Sequence, residues 1–138
     1  MTDDPDRREP DAQGAPVRRF KDASYRPLAA DLAGVRREID RIDDEIVKLL
    51  AERAMYVKDA ARFKRDAFQV SAPARQAEVF ARVRALAEKH NPGFNGGFEG
   101  LPGVIEAAYR ALVAGYIACE QNYFGQTQPV DSPKEDRK

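Results

Sequence analysis

The clearest pattern in the chain is an apolar repeat that runs from Leu32 to Lys64. Its apolar residues recur at intervals of three and four, which places them on one face of a helix. Neither Pro nor Gly interrupts the segment after Gly34. The repeat therefore predicts one long helix over residues 29–64. The apolar positions are Leu32, Val35, Ile39, Ile42, Ile46, Leu49, Leu50, Val57, Ala60 and Ala61.

A helix over residues 29–64 is longer than a domain of 138 residues can cover by itself. At a rise of about 1.5 Å per residue, it would extend about 54 Å. Two chains that pack their long helices side by side would bury the apolar face of both. The repeat therefore favours an intertwined helical homodimer.

Two further apolar repeats predict shorter helices after the long one. The first repeat follows Ser71, a residue typical of helix N-caps, and has Pro73 in its first turn. It predicts a helix over residues 72–89. The second repeat predicts a helix over residues 102–124, which begins at a proline and ends before a glycine.

The segments between and around the helices carry no apolar period. We predict a polar link over residues 65–70 and a flexible, glycine-rich connection over residues 91–100. The ends, residues 1–27 and 125–138, have the composition of disordered tails, which leaves residues 28–124 as the helical domain. Since no segment alternates with a period of two, the predicted class is all-α, with three helices per chain.

Composition narrows the functional classes. The chain has 23 basic and 23 acidic residues, so it lacks the basic surplus typical of proteins that bind nucleic acid or anionic membranes. No apolar run is long enough to span a bilayer. The single cysteine, Cys119, excludes an internal disulfide and fits a reducing compartment, which favours the cytoplasm. We expect Cys119 to pack in the helical core.

Three charged residues break the apolar faces of the predicted helices. Arg53 and Lys64 lie on the face of the long helix, and Glu120 lies on the apolar face of the last helix. One interpretation is structural: Lys64 extends to solvent from a frayed helix end, and Arg53 pairs with Asp43 or Glu52. The other is functional, because a charge on a buried face is costly unless it is paired, and two cations could receive an anion.

The chemistry available to such a site is limited to positioning and electrostatics. His90 is the only histidine, so neither a metal-ligand cluster nor a nucleophile–base pair is predicted. Arg53 and Lys64 are eleven residues apart, which leaves about 20° between them on a helix. Arg36 is turned about 100° away from Arg53 by the same geometry, so it could serve a pocket in a partner chain more easily than one in its own.

Several motifs on these helices carry a resemblance to a known family. They are Val35-Arg36, Ile39-Asp40-Arg41-Ile42-Asp43, Tyr56-Val57-Lys58, Arg62-Phe63-Lys64, Ala72-Pro73 with Arg75, and Tyr116-Ile117-Ala118 with Tyr123. With them, residues 30–124 resemble the all-α (type II) chorismate mutase family, and more closely its isochorismate-pyruvate lyase branch. The resemblance implies an intertwined homodimer of three-helix chains. It also implies a cofactor-free enzyme that rearranges chorismate to prephenate or splits isochorismate into salicylate and pyruvate.

The resemblance also assigns roles to the charged residues. Arg36 corresponds to an arginine that the partner chain contributes, and Arg53 to one that binds a substrate carboxylate. Lys64 corresponds to a lysine that contacts a carboxylate and the ether oxygen of the substrate. Glu120 lies where the family has Gln or Glu beside that oxygen, although a slip of one residue would select Gln121 instead. Glu120 could donate to the oxygen only when protonated, so activity is expected to fall as pH rises.

One departure from the family affects the choice of reaction. Mutases usually carry an Arg-Glu pair at the start of the second helix, where the carboxylate contacts a ring hydroxyl of the substrate. Counting along the chain assigns Pro73 and Ala74 to that pair. The absence of the pair favours the lyase, and the default of the wider family favours the mutase, which is the function that we predict. An inactive dimerisation module is a further alternative, supported by the missing glutamate.

Overall fold

The structure, a computed structural model, describes residues 8–130, and all of its regular elements in that range are helical. This confirms the predicted all-α class with one long N-terminal helix. Residues 1–7 and 131–138, which belong to the two predicted tails, lie outside the described residues. The helices are α1 (Leu32–Ala60), α2 (Ala67–Ser71), α3 (Pro73–His90) and α4 (Leu101–Phe124), with 3-10 turns at Ala61–Phe63 and Phe94–Gly96.

The chain forms two compact units that divide after Leu50. In the first unit, the segment before α1 bonds to the first turn of that helix. The carbonyl of Ala12 accepts a hydrogen bond from the amide of Ala33 at 2.9 Å. The side chain of Asp31 accepts one from the amide of Gly34 at 2.9 Å, as an N-cap residue does. The predicted disorder of residues 1–27 stays a prediction.

The apolar face of α1 is exposed along the first unit. Val35, Ile39, Ile42 and Ile46, which all belong to the predicted repeat, expose between 39% and 50% of their surface. No residue of α1 is buried. Exposed apolar surface of this extent is uncommon on a monomer and typical of an interaction face.

The second unit contains the core of the fold, between α3 and α4. Its buried apolar residues come from several elements, so that α2 and the turn after α1 pack with the two longer helices. They are Ala61, Val70, Phe80, Val83, Ala87 and Val113. The observed α3 and α4 agree with the predicted helices within one residue at each end.

The end of α1 differs from the prediction. The helix ends at Ala60 rather than at Lys64, and the next three residues form a tighter 3-10 turn. Lys64 itself has an extended backbone, with φ −103° and ψ 143°. The prediction that Lys64 lies on the face of the long helix is therefore wrong, because the apolar period at Ala60 and Ala61 continues into the turn and does not distinguish it from an α-helix.

The segment predicted as a polar link contains the short helix α2. Asp66 caps it by accepting a hydrogen bond from the amide of Gln69 at 2.9 Å, and Val70 anchors it in the core. Ala72 joins α2 to α3 with a left-handed backbone, φ 43°. The predicted capping role of Ser71 is therefore wrong, since Ser71 ends α2 and Ala72 holds the N-cap position of α3.

Hydrogen bonds hold the glycine-rich connection between α3 and α4. The side-chain amide of Asn91 donates to the carbonyl of Phe98 at 3.0 Å, and its oxygen accepts from the amide of Phe98 at 2.8 Å. Gly97 has φ +64°, and a Cβ there would lie 2.7 Å from the carbonyl oxygen of Pro92. The connection therefore has a specific conformation that requires glycine, which the prediction of a flexible link did not anticipate.

Two other expectations concern the surface of the described chain. Cys119 is exposed, so the prediction that it packs in the core is wrong. Its position on α4 is one residue away from the buried Glu120, and an apolar repeat cannot separate neighbours at the edge of a helix face. Among the described residues, no helix is both long and apolar enough to cross a membrane.

Candidate functional site

A pocket of about 320 Å³ in the second unit brings together Arg53, Lys64 and Glu120, the three residues that break the apolar faces. The second half of α1, the α2–α3 junction and α4 form its walls. Val57, Val70, Val79, Val113 and Ile117 supply an apolar lining. Apolar pockets of this size with a few convergent polar groups are typical of small-molecule sites.

Lys64 and Glu120 form an ion pair across the pocket. The Lys64 Nζ donates to the Glu120 Oε2 at 2.9 Å, and the two side chains are 22% and 5% exposed. A carboxylate this buried is costly without a cation beside it. The pair joins residues 56 positions apart, and both of them line the pocket.

The 3-10 turn after α1 accounts for the position of Lys64. The Lys64 amide donates to the carbonyl of Ala61 at 3.3 Å, which ends the turn. The extended backbone at Lys64 then leaves the helix axis, so that the side chain can reach Glu120 on α4. A continued α-helix would not change direction at Lys64. Because the contact with Glu120 follows this change, the end of α1 is part of the site.

Arg53 is held by two aromatic rings. Its guanidinium carbon lies 5.2 Å from the ring centre of Tyr116 and 5.6 Å from that of Tyr109. None of the ion pairs within residues 8–130 involves Arg53. The expected pairing of Arg53 with Asp43 or Glu52 is therefore not found in the described part of the chain.

Gln121 has a different environment from Glu120. Its amide donates to the carbonyl of Ala67 at 3.0 Å and lies 3.4 Å from the Ser71 hydroxyl. These bonds join α4 to α2, and Gln121 is not one of the residues that line the pocket. Of the two neighbours, Glu120 is the one placed beside Lys64, and its catalytic role stays a prediction.

The sequence pattern did not identify two of the pocket residues. Arg75 and Gln76, at the start of α3, both line the pocket, whereas Pro73 borders a separate cavity and Ala74 lines neither. The structure therefore does not support the assignment of the Arg-Glu pair to Pro73 and Ala74, since neither residue lines this pocket. The signal was present in the sequence, because Arg75 is part of the motif after Ala72-Pro73.

Arg75 and Gln76 differ in how firmly they are held. The Gln76 Nε2 donates to the carbonyl of Ser71 at 2.6 Å, which fixes its amide against the α2–α3 junction. Arg75 is 65% exposed at the pocket entrance and pairs with Glu78 at 3.1 Å. Gln76 therefore contributes a fixed neutral amide to the pocket, beside an exposed arginine.

The charges around the pocket favour an anionic ligand. Glu120 balances Lys64, and Glu78 is shared with Arg75, but the Arg53 guanidinium has no carboxylate partner among the described residues. A guanidinium group that lines a pocket is suited to bind a carboxylate. Residues 8–130 contain no group of three His, Cys, Asp or Glu side chains that could hold a metal ion.

Arg36, the fourth predicted site residue, lies on α1 in the first unit and is exposed. It is not one of the residues that line the pocket of the second unit. The prediction that Arg36 acts in the pocket of a partner chain remains a prediction.

Comparison with known proteins identifies the family to which these residues belong. The family model for chorismate mutase type II matches residues 35–121, a range that contains Arg36, Arg53, Lys64 and Glu120. A chorismate mutase from Methanocaldococcus jannaschii is 32% identical over 98 residues, which cover 70% of this chain and 91% of that protein. An isochorismate pyruvate lyase from Pseudomonas aeruginosa is 35% identical over 97 residues, 70% of this chain and 88% of that protein. A bifunctional chorismate mutase/prephenate dehydratase from Aquifex aeolicus is 40% identical over 57 residues, 41% of this chain and 16% of that protein.

Proposed function

Since the chain belongs to the type II chorismate mutase family, we propose that it rearranges chorismate to prephenate in the pocket of the second unit. The observation that carries this proposal is the convergence of Arg53, Lys64 and Glu120 on one apolar pocket of about 320 Å³. Chorismate is a compact dianion, so it matches the size and the positive character of the pocket.

The reaction needs positioning and charge stabilisation rather than a nucleophile. A C–O bond breaks in a cyclic transition state, and the substrate must be held in its compact, reactive conformation. In the proposal, Arg53 binds a carboxylate and limits the rotation of the substrate. Lys64 lies where negative charge grows on the ether oxygen and stabilises the transition state more than the bound substrate.

Glu120 has two roles in this proposal. First, its carboxylate holds Lys64 in place, at 2.9 Å. With substrate bound, a protonated Glu120 donates a hydrogen bond to the ether oxygen, beside the lysine. The second role requires that Glu120 takes up a proton, because an ionised carboxylate only accepts hydrogen bonds.

Isochorismate cleavage to salicylate and pyruvate is the second candidate. The relative from Pseudomonas aeruginosa supports it, since the match to that lyase is as extensive as the match to the mutase from Methanocaldococcus jannaschii. In the proposal, Arg75 and Gln76, which both line the pocket, take the positions of the Arg-Glu pair, so that only the acid is replaced. The start of α3 then favours the lyase less strongly than the sequence alone indicated. The glutamate of the pair is absent in either assignment, and this absence supports an inactive dimerisation module as the further alternative.

We further propose that the active form is a homodimer in which the partner subunit's Arg36 completes the pocket. The exposed apolar face of α1, from Val35 to Ile46, supports this assembly. Arg36 is next to that face, so a partner that covers the face would receive the arginine as well. The lone Cys119, exposed and unpaired by any disulfide, is compatible with the cytoplasm as the proposed location.

An assay of both substrates tests the proposed function. We expect the purified chain to convert chorismate to prephenate without added metal or cofactor, and Arg53→Ala to lower kcat/KM by a factor of about 10² to 10³. Lys58→Ala is the matched control, because Lys58 lies over the ring of Tyr123 and does not line the pocket. Salicylate from isochorismate, with no prephenate from chorismate, would replace the mutase by the lyase. No turnover of either substrate would refute both.

A further inference from the structure

Arg53 differs from the other cation of the pocket in how it is held. Lys64 is fixed by a carboxylate, whereas the guanidinium of Arg53 lies over two tyrosine rings of α4, at 5.2 Å from Tyr116 and 5.6 Å from Tyr109. The two tyrosines are seven residues apart, which places them on the same face of α4, two turns from each other. Both are half-buried, as Arg53 is. The rings therefore form an aromatic cradle for the arginine.

A ring and a carboxylate restrain an arginine in different ways. A guanidinium is planar and carries its five N–H donors at the edge of that plane. A carboxylate partner occupies the edge, whereas a ring attracts the cation within about 6 Å through its π electrons and leaves the edge donors available. Arg53 thus has a fixed position without losing the donors that would bind a substrate carboxylate.

We propose that Tyr109 and Tyr116 are positioning residues, which hold Arg53 through their ring faces so that its N–H edge remains available to the substrate. This proposal rests on the proposed function, in which Arg53 binds a carboxylate. Only Tyr116 also lines the pocket, and Tyr109 acts on the substrate through Arg53 alone. The cradle replaces an acidic partner that would compete with a dianionic substrate.

Two alternative roles of the tyrosines, direct contact with the substrate and simple packing, predict other effects of substitution. If the Tyr116 hydroxyl contacted the substrate, removal of the oxygen would impair activity and the ring would be unimportant. If the tyrosines only filled space between α1 and α4 in the second unit, a large aliphatic side chain would serve equally well. The cradle requires an aromatic face at both positions and does not require either hydroxyl.

The test compares Phe and Leu at each tyrosine. We expect Tyr109→Leu and Tyr116→Leu to raise KM for chorismate about tenfold with little change in kcat, because a carboxylate contact made equally in the bound and transition states affects KM. Tyr109→Phe and Tyr116→Phe, which keep the ring, should recover most of that loss. Tyr123→Leu is the matched control, since Tyr123 lies over Lys58 at 4.6 Å, outside the pocket.

A double substitution separates positioning from packing. In an Arg53→Ala background, Tyr116→Leu should cause little further loss of kcat/KM, because the residue through which the ring acts is absent. The cradle would be overturned if Tyr116→Leu lowered kcat/KM as much in the Arg53→Ala background as in the parent. A Tyr116→Phe variant as impaired as Tyr116→Leu would also overturn it.

A signal from Arg53 itself makes the test independent of turnover. The NMR resonance of its Nε–H, assigned by its absence in Arg53→Ala, should be shifted by the ring currents of the tyrosines. Tyr109→Phe and Tyr116→Phe should preserve the shift. Each Tyr→Leu substitution should remove the part of the shift that the replaced ring causes. If neither substrate is turned over, the proposed function fails while this signal still reports the cradle. If the protein is active and the signal does not respond to Tyr→Leu, the cradle alone is refuted.

Discussion

Glu120 and Gln121 are neighbours on α4 that serve different parts of the fold. Because successive helical residues are about 100° apart, one side chain can face the pocket while the next faces α2. Glu120 pairs with Lys64, and Gln121 donates to the carbonyl of Ala67. The sequence could identify Glu120 because it interrupts an apolar face. It could not identify the role of Gln121, since that role depends on a five-residue helix too short to show a period.

The proposed proton on Glu120 predicts a pH dependence that an amide would lack. We expect kcat for chorismate to fall as pH rises in the parent, because a deprotonated Glu120 no longer donates to the ether oxygen. In Glu120→Gln the amide donates at every pH, so the rate should be level across the same range. The measurement is kcat between pH 5 and 9, with Glu78→Gln as a control at the exposed acid that pairs with Arg75. Parallel profiles for parent and Glu120→Gln would remove Glu120 from the proton step.

At the scale of elements, the long and periodic helices were predictable and the junctions were not. The bounds of α3 and α4 follow from their apolar faces and their flanking Pro and Gly residues. The end of α1, the helix α2 and the connection from Asn91 to Gly100 follow from single hydrogen bonds and left-handed residues. These contacts depend on the folded backbone, so an apolar period carries no information about them. The pocket position of Arg75 and Gln76 has the same origin, because α3 begins directly after the left-handed residue Ala72.

The connection between α3 and α4 predicts a contrast between two glycines. Gly97→Ala should destabilise the fold by about 1 to 3 kcal/mol, because its φ of +64° is unfavourable for alanine. The added Cβ would also lie 2.9 Å from the Asn91 Oδ1. Gly93→Ala is the control, since Gly93 has φ −83° and nothing within 4 Å of the new Cβ. Urea unfolding measures both changes, and equal stability of the two variants would contradict the described loop.

A second junction, between α3 and α4, depends on Glu106. Its carboxylate accepts from the Arg110 Nε at 2.9 Å and from the Arg84 Nη1 at 3.1 Å. The hydrogen bond from Arg110, with the nearby charges of Arg110 and Arg84, holds the pKa of Glu106 below its ordinary value. Since the folded state favours the ionised carboxylate, this contribution to stability is present above the pKa of the unfolded chain. It is lost as pH falls through the lowered pKa of the folded state.

This linkage is measurable as a difference between two melting profiles. We expect Tm of the parent to fall faster with acidification below about pH 4.5 than Tm of Glu106→Gln, which has no carboxylate to protonate. Glu88→Gln, at an exposed acid on α3, is the control for a change of net charge and should follow the parent. Identical slopes of Tm against pH for the parent and Glu106→Gln would show that the pair with Arg110 contributes nothing to the acid sensitivity of the fold.

For the whole molecule, the central feature is the exposed apolar face of α1. The sequence predicted the face from its period, and the structure places Val35, Ile39, Ile42 and Ile46 on the surface of the described chain. A second copy would cover this face with an identical one, as expected for a two-fold dimer. The role of Arg36 is linked to the same assembly, because the arginine lies beside the face that the partner would cover. A monomer in solution would therefore refute both the dimer and the role of Arg36.

The most direct test of the proposed shared site is complementation between two inactive chains. Arg36→Ala and Arg53→Ala are preferred because neither removes the partner of the buried Glu120. Each homodimer should lose a factor of about 10² to 10³ in kcat/KM for chorismate. A mixed dimer, purified through a different tag on each chain, contains one site with both arginines and one site with neither. Arg37→Ala in place of Arg36→Ala is the control, and its homodimer should remain active.

We expect the mixed dimer to recover about half of the parent's activity per dimer, because one of its two sites has Arg53 from one chain and the partner subunit's Arg36. If both arginines acted within a single chain, each site would lack one of them. A mixed dimer that is no more active than the Arg36→Ala and Arg53→Ala homodimers would therefore contradict a site shared between two chains.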